Sequence, residues 1–162
     1  MNQKELEIYI HIPFCIKKCS YCDFLSAPAT EQTVESYMAA LFAEIEGKSG
    51  KYRDRRVVSV FIGGGTPSRL TGEQMGQLMA CIRRHFFLDP AAEITTEVNP
   101  GTVSEEKLRT FRKAGINRLS IGMQSAQDEE LRELGRIHDF AGFLEAYEAA
   151  VQAGYTNINV DV

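Results

Sequence analysis

Hydrophobic and polar positions alternate along this chain with two periods, and the two take turns from one end to the other. Ile8, Ile10 and Ile12 recur every second residue, with Tyr9 and His11 on the opposite face, and Pro13 ends the run; a first strand is expected over 8–12. A helical period follows over 31–46, where Val34, Tyr37, Met38, Leu41, Phe42 and Ile45 make one stripe. Residues 57–62 are a continuous β-branched and aromatic run, cut off by Gly63, Gly64 and Gly65. Thr71 and Gln74 form a capping-box start for a helix whose inner face is Met75, Leu78, Met79, Ile82 and Phe86. A third strand over 93–98 is closed by Asn99, Pro100 and Gly101. Ser104 caps the next helix, with Glu105 and Glu106 in its first turn and Arg112 and Lys113 in its last, as the helix dipole favours, and Gly115 fits the stop. A fourth strand over 119–124, two shorter helices near 128–134 and 140–153, and a fifth strand over 157–162 complete the pattern.

Strand-then-helix order repeated this way predicts an α/β fold, a parallel sheet with helices outside, either doubly wound or curled into a barrel. A strand covered by helices on both faces is apolar on both. Here Tyr9 and His11, then Glu93, Thr95 and Glu97, then Ser120, Gly122 and Gln124, then Asn159 and Asp161 make one face polar on four strands of five. A partial barrel accounts for that face, its polar side chains lining a lumen. Sites in such folds gather at the C-terminal strand ends, where the cysteines, the glycine run, Glu97, Gln124 and Asp161 all fall. No Pro/Ser-rich linker interrupts the alternation, so residues 1–162 read as one domain. The last strand breaks off without a turn or cap, so the domain is expected to be the truncated N-terminal part of a longer protein.

Composition narrows the classes of function. With 44% hydrophobic and 25% charged residues the chain is neither disordered nor a repeat array. No apolar run approaches the roughly 20 residues of a membrane span. Eighteen basic against 22 acidic residues give a net charge of −4 without a long single-sign block, and so no footprint for nucleic acid or anionic lipid. The polar start, with Glu5 and Glu7, does not read as a secretory signal, and the cytoplasm is the expected compartment.

Of the four cysteines, Cys15, Cys19 and Cys22 crowd into one short loop after the first strand, and Cys81 stands apart. Clustered thiols in a chain without an export signal point to metal or redox chemistry. Three close thiolates can hold three corners of a cubane iron–sulfur cluster and leave one iron without a protein ligand, open to a small chelating molecule. The alternatives are a zinc site completed by His11 or Cys81, and three buried, inert thiols. Structural zinc takes four ligands, commonly as two spaced pairs, and no second pair exists here.

Tyr9-Ile10-His11-Ile12-Pro13-Phe14-Cys15, with Cys19, Tyr21 and Cys22, resembles the signature of radical S-adenosylmethionine (SAM) proteins. The branch resembled holds the oxygen-independent coproporphyrinogen III oxidases and the HemW haem chaperones. The likeness continues through Gly63 to Ser68, Glu97 to Gly101, Gly115 to Ser125, Leu134 to His138 and Asn157 to Asp161, and so covers essentially the whole chain. It implies a partial (β/α)6 barrel, a [4Fe–4S] cluster on Cys15, Cys19 and Cys22, and SAM chelating the open iron. Reductive cleavage of SAM would then yield a 5′-deoxyadenosyl radical.

The resemblance further implies SAM contacts from Tyr9, Gly64, Gly65, Thr66 and Glu97. Tyr21, Gln124, Arg136 and Asp161 match positions around a second SAM molecule in the oxidase branch. Taken alone, Gly63 to Pro67 would be a tight turn, Glu97 a solvated strand end and Arg136 a solvated helix-end charge. Two features depart from the oxidases: they carry a further cysteine where this chain has Phe24, and a longer segment before the tyrosine motif. Cys22-Asp23-Phe24 looks like the haem-chaperone branch, which implies haem or porphyrin and a haem-acceptor protein as partners. A true coproporphyrinogen III oxidase is the alternative reading, and a zinc-stabilised binding module the remote one.

Overall fold

The computed structural model describes residues 4–162; the first three residues of the polar start lie outside them. Five strands form one parallel sheet: β1 (Lys4–Ile12), β4 (Arg55–Gly64), β5 (Phe87–Val98), β6 (Arg118–Gly122) and β7 (Ile158–Asp161), paired in that order. Two short strands, β2 (Phe14–Cys15) and β3 (Ala27–Pro28), pair separately. The crossovers carry α1 (Glu31–Ser49), α2 (Gly72–His85), α3 (Glu105–Ala114), α4 (Asp128–Glu133) and α5 (Phe140–Gln152). Because spatial order follows chain order, right-handed crossovers put every helix on the same face. That is the barrel arrangement, and it excludes the doubly wound sheet. β1 and β7 form the two margins of the sheet, so the barrel is partial.

The helix-facing side is the core. Ile10 and Ile12 of β1, Val57, Val60 and Ile62 of β4, Ile94 and Val98 of β5, and Leu119 and Ile121 of β6 are buried there. Against them lie Val34, Met38, Leu41 and Ile45 of α1, Met75, Leu78, Met79 and Ile82 of α2, and Leu108 and Phe111 of α3. Each fully buried aliphatic side chain of this set contributes about 1.5–3 kcal/mol relative to exposure. The helix starts follow the sequence. Thr71 accepts from the Gln74 amide at 3.1 Å while the Gln74 side chain accepts from the Thr71 amide at 2.9 Å. Ser104 caps α3, and Gly115 ends it at φ +105°.

Several bounds differ from expectation. β1 begins at Lys4 because Leu6 pairs with Val57 before a register shift that follows it. β5 begins at Phe87, six residues early, and includes Pro90; the register shift between Val57 and Ser59 leaves that stretch of ladder open, so the missing proline amide costs no pairing. α1 runs on to Ser49. The fourth strand stops at Gly122, and Gln124 lies beyond it at φ +70°. On the lumen face, β4, the strand outside the four polar ones, presents Phe61, with Tyr9 stacked against its ring at a centroid distance of 6.1 Å.

Candidate functional site

The strands end together, and the loops that leave them enclose one cleft of about 530 Å³. Its walls include Cys15, Cys19 and Cys22, Gly64 to Pro67, Glu97, Ser120, Gly122, Gln124, Arg136 and Asp161. The structure thus brings together every anticipated site residue except Tyr9. Tyr9 is 59% exposed, its hydroxyl 3.1 Å from His11 Nδ1, and it meets the cleft only through Phe61.

The cysteine loop is irregular, and it is fixed by bonds to distant parts of the chain. The Ala27 amide donates to Pro13 O at 3.0 Å and the Gly65 amide to Ile12 O at 2.9 Å, which closes the loop at its base. Arg69 donates to Cys15 O at 3.3 Å and also to Ala29 O, clamping both of the loop's ends. His11 Nε2 lies 2.9 Å from Leu25 O and serves as its donor, since a carbonyl only accepts. On the far side, Ser20 donates its amide to Leu134 O at 3.1 Å and its hydroxyl to Glu133 O at 3.0 Å. Cys15 is buried, and Cys19 and Cys22 are partly exposed.

The glycine run is needed by the protein's own packing. A Cβ on Gly65 would lie 2.9 Å from Cys15 Sγ, from Phe14 O and from Ser26 Cβ. A Cβ on Gly64, whose φ is +121°, would meet the His11 ring at 2.8 Å. Close approach of the first strand and the cysteine loop, side chains and carbonyls together, therefore accounts for both positions, beyond the tight turn or ligand approach read from sequence.

Glu97 is not a solvated strand end. It is half-buried, and its Oε2 accepts the Gly64 amide at 2.9 Å. Burial pushes its pKa above the usual carboxylate value and Asp161 adds to the rise, while the Gly64 amide and His11 oppose it. Arg136 is likewise not a free helix-end charge. It donates to Gly122 O at 2.9 Å, to Tyr21 Oη at 3.3 Å and to Cys19 Sγ at 3.8 Å, and its buried Nε has no partner. Burial raises the Tyr21 phenol pKa, and Arg136 partly offsets that. Asp161 accepts from Ser120 Oγ at 2.9 Å and from Asn159 Nδ2 at 2.6 Å.

Sequence reasoning had set Ser120 and Asn159 on the polar face without giving them a role, and it passed over Phe61, Arg118 and Lys17, which also line the cleft. Period-two alternation was the signal for the first two. Nothing local marks Lys17, whose loop has no period. Cys81 lies on α2, packed against the core and outside the cleft, and is no partner for the other three.

Among the described residues, no three His, Cys, Asp or Glu side chains are placed to hold a single metal ion. The donor set suits a larger group instead: three thiols on one wall, with no fourth cysteine in the cleft, fit a cluster that keeps one position open.

A sheet wound in chain order, with a three-cysteine loop at the C-terminal end of its first strand, defines a class, and residues 9–162 match the Radical SAM superfamily. The chain belongs to that superfamily. Within it, the chain is 41% identical over 158 residues to the heme chaperone HemW of Escherichia coli (strain K12), covering 97% of this chain and 42% of that protein. It is 39% identical over 157 residues to the heme chaperone HemW of Bacillus subtilis (strain 168), covering 95% of this chain and 41% of the relative. The chain therefore spans about two fifths of the length of these curated relatives. Among solved structures, the radical SAM enzyme coproporphyrinogen III oxidase HemN of Escherichia coli superposes with a TM-score of 0.90 at 32% identity. That match covers 98% of this chain and 37% of the oxidase. Among the described residues no helix is long and apolar enough to cross a membrane.

Proposed function

We propose that residues 1–162 are the radical SAM core domain of a HemW-like haem chaperone, holding a [4Fe–4S] cluster on Cys15, Cys19 and Cys22 and SAM in the adjoining cleft. The observation that carries this reading is the convergence of three thiols, the Gly64–Gly65–Thr66 backbone and the Glu97 carboxylate on one cleft. Bound there with one open position, a cluster supplies one-electron reduction of SAM. The chain's own residues do the rest. Glu97 has committed Oε2 to the Gly64 amide, so Oε1 is the atom left to accept from an amino or ribose hydroxyl group. Gly64 and Gly65 bring their backbone to the cleft wall without side chains in the way. Asp161 holds Ser120 and Asn159 on the opposite wall, and Arg136, with Tyr21 and Gln124, supplies polar groups for the carboxylate end of a ligand. Tyr9 enters one ring removed, stacked on Phe61.

The relatives are named as heme chaperones, so haem is the proposed cargo; a haem-acceptor protein is the partner that such a role needs, and the cytoplasm is the proposed compartment. Phe24 supports the chaperone reading: it stands 67% exposed on the cleft rim, where the oxidase branch carries a further cysteine. The TM-score of 0.90 to the oxidase favours the second reading, coproporphyrinogen III oxidation. The test is anaerobic reconstitution followed by Mössbauer spectroscopy, a haem titration and an assay of coproporphyrinogen consumption on the same preparation. Four-iron spectra with haem binding and no consumption are expected. Stoichiometric zinc with rejection of iron would end the radical reading, and consumption of coproporphyrinogen would move the protein to the oxidase branch.

A further inference from the structure

Two of the three cysteine sulfurs accept a hydrogen bond from a side chain that arrives from a different part of the fold. Thr66 Oγ1 donates to Cys15 Sγ at 3.5 Å. Thr66 is itself buried, on the loop after β4. Arg136 Nη1 donates to Cys19 Sγ at 3.8 Å from the loop after α4. No side-chain donor reaches Cys22 Sγ among the described residues. We propose that Thr66 and Arg136 set the reduction potential of the cluster, raising it by donating to the Cys15 and Cys19 thiolates. This rests on the reading of Cys15, Cys19 and Cys22 as cluster ligands.

The physical argument is one of charge. Reduction adds an electron that is spread over iron and sulfur, so the reduced state carries the more negative sulfurs and accepts hydrogen bonds more strongly. Donors to those sulfurs therefore stabilise the reduced state more than the oxidised one and move the potential upward. Arg136 adds a full positive charge to its hydrogen bond. Its guanidinium makes no ion pair among the described residues, where its acceptors are Gly122 O, Tyr21 Oη and the Cys19 sulfur. A charge that no carboxylate neutralises favours negative charge gained by the nearest group. Burial of Thr66 has a similar consequence, because a hydrogen bond in a low local dielectric is electrostatically stronger than in water.

The two donors also hold different walls. Thr66 follows the glycine run, and Gly65 permits that approach by leaving the Cys15 sulfur room. Arg136 is fixed by Gly122 O at the end of β6. The cysteine loop is thus gripped electrostatically from two sides, and the contributions of the two donors are separable.

The experiment is a mediated redox titration of the full chain, anaerobically reconstituted and free of SAM, with the reduced cluster followed by electron paramagnetic resonance. Leaving out SAM removes any effect of these residues on cofactor binding. Thr66→Val, which keeps the side-chain volume and loses the hydroxyl, and Arg136→Met, which keeps the length and loses the charge, should each lower the midpoint potential. The double variant should fall by the sum of the two shifts. Thr66→Ser should return to the native value, and Arg136→Lys should lie between native and Arg136→Met. Should Arg136→Met or Thr66→Val take up too little iron to titrate, Arg136→Lys and Thr66→Ala carry the same comparison, both still below native. Midpoints equal to native in cluster-bearing Thr66→Val, Thr66→Ala, Arg136→Met or Arg136→Lys would overturn the proposal and leave the ligand reading intact. A native chain that takes up no four-iron cluster would overturn both.

Discussion

Glu97 accepts the Gly64 amide through Oε2 at 2.9 Å, so the carboxylate that ends one strand fixes the glycine turn that ends its neighbour. One carboxylate oxygen is spent on the fold, and the other remains for a ligand.

Glu97→Gln keeps the shape and an acceptor for Gly64 but removes the charge. Cluster assembly should be unchanged, and SAM affinity should fall about ten- to a hundredfold, the value of a charge-assisted hydrogen bond of about 1.5–3 kcal/mol. Titration of the reconstituted protein with SAM, followed by electron paramagnetic resonance, measures it; unchanged affinity would remove Glu97 from the ligand. The same variant has a signature without cofactor. Burial raises the folded-state pKa of Glu97, so the native chain binds this proton more tightly than the unfolded one does. The stability associated with it is present at low pH and lost as pH rises through the folded value, whereas the Gln variant should show no such loss.

Cys19→Ala should leave the chain without a stable four-iron cluster, because no other cysteine lines the cleft beyond Cys15 and Cys22. Cys81→Ala should retain full iron and sulfide. Metal and sulfide analysis after desalting checks both, and a complete cluster in the Cys19 variant would refute the ligand set.

Gly64→Ala should destabilise the fold by about 1–3 kcal/mol, the cost of a backbone conformation that side chains avoid. The new methyl would also meet the His11 ring at 2.8 Å and Ile12 O at 3.0 Å. Urea unfolding of the two chains measures the difference, and equal midpoints would show that the turn relaxes without loss.

His138 has Nε2 3.3 Å from Met123 O, which only accepts, so Nε2 carries the proton and the buried Nδ1 has none and no partner. Burial, joined by Arg136, lowers the pKa. Stability linked to the neutral ring is present above the ordinary histidine value of about 6.5 and is lost as pH falls through the lower folded value. His138→Gln, which can still donate to Met123 O, should flatten that slope in thermal melts taken across the acid range.

Periodic segments were legible in the sequence, and contacts that bridge distant segments were not. The stripe on α1 and the Thr71–Gln74 box need only neighbours three and four residues away, so the pattern carried them. The early start of β5 depends on a register shift against β4, which no single strand encodes. Pairing of Phe14 with Ala27 and Cys15 with Pro28 joins two-residue strands too short to have a period. Ser120 and Asn159 were visible as polar alternation. The bond from Ser120 to Asp161 was not, since it follows from the register of β6 against β7, while Asn159 meets Asp161 two residues along the same strand. Tyr9 shares the lumen face with its register partner Phe61, but it lies on the margin strand β1, so Phe61 stands beside the cleft and Tyr9 one ring further out, a placement that only the strand order decides. The glycine run shows the converse: its composition was plain, but the crowding by Cys15, Phe14 and His11 that requires it belongs to the assembled sheet.

The stitch from Ser20 to Glu133 crosses 113 residues of chain. A contact of that separation forms late, since the entropy of closing so long a span must be met before the bond can form. The cysteine loop takes its observed course only with α4 beside it, since the carbonyls of Glu133 and Leu134 hold Ser20 in the middle of that loop. The three thiols and the fourth crossover are therefore one mechanical unit, and a change that shifts α4 is felt first at the cysteine loop.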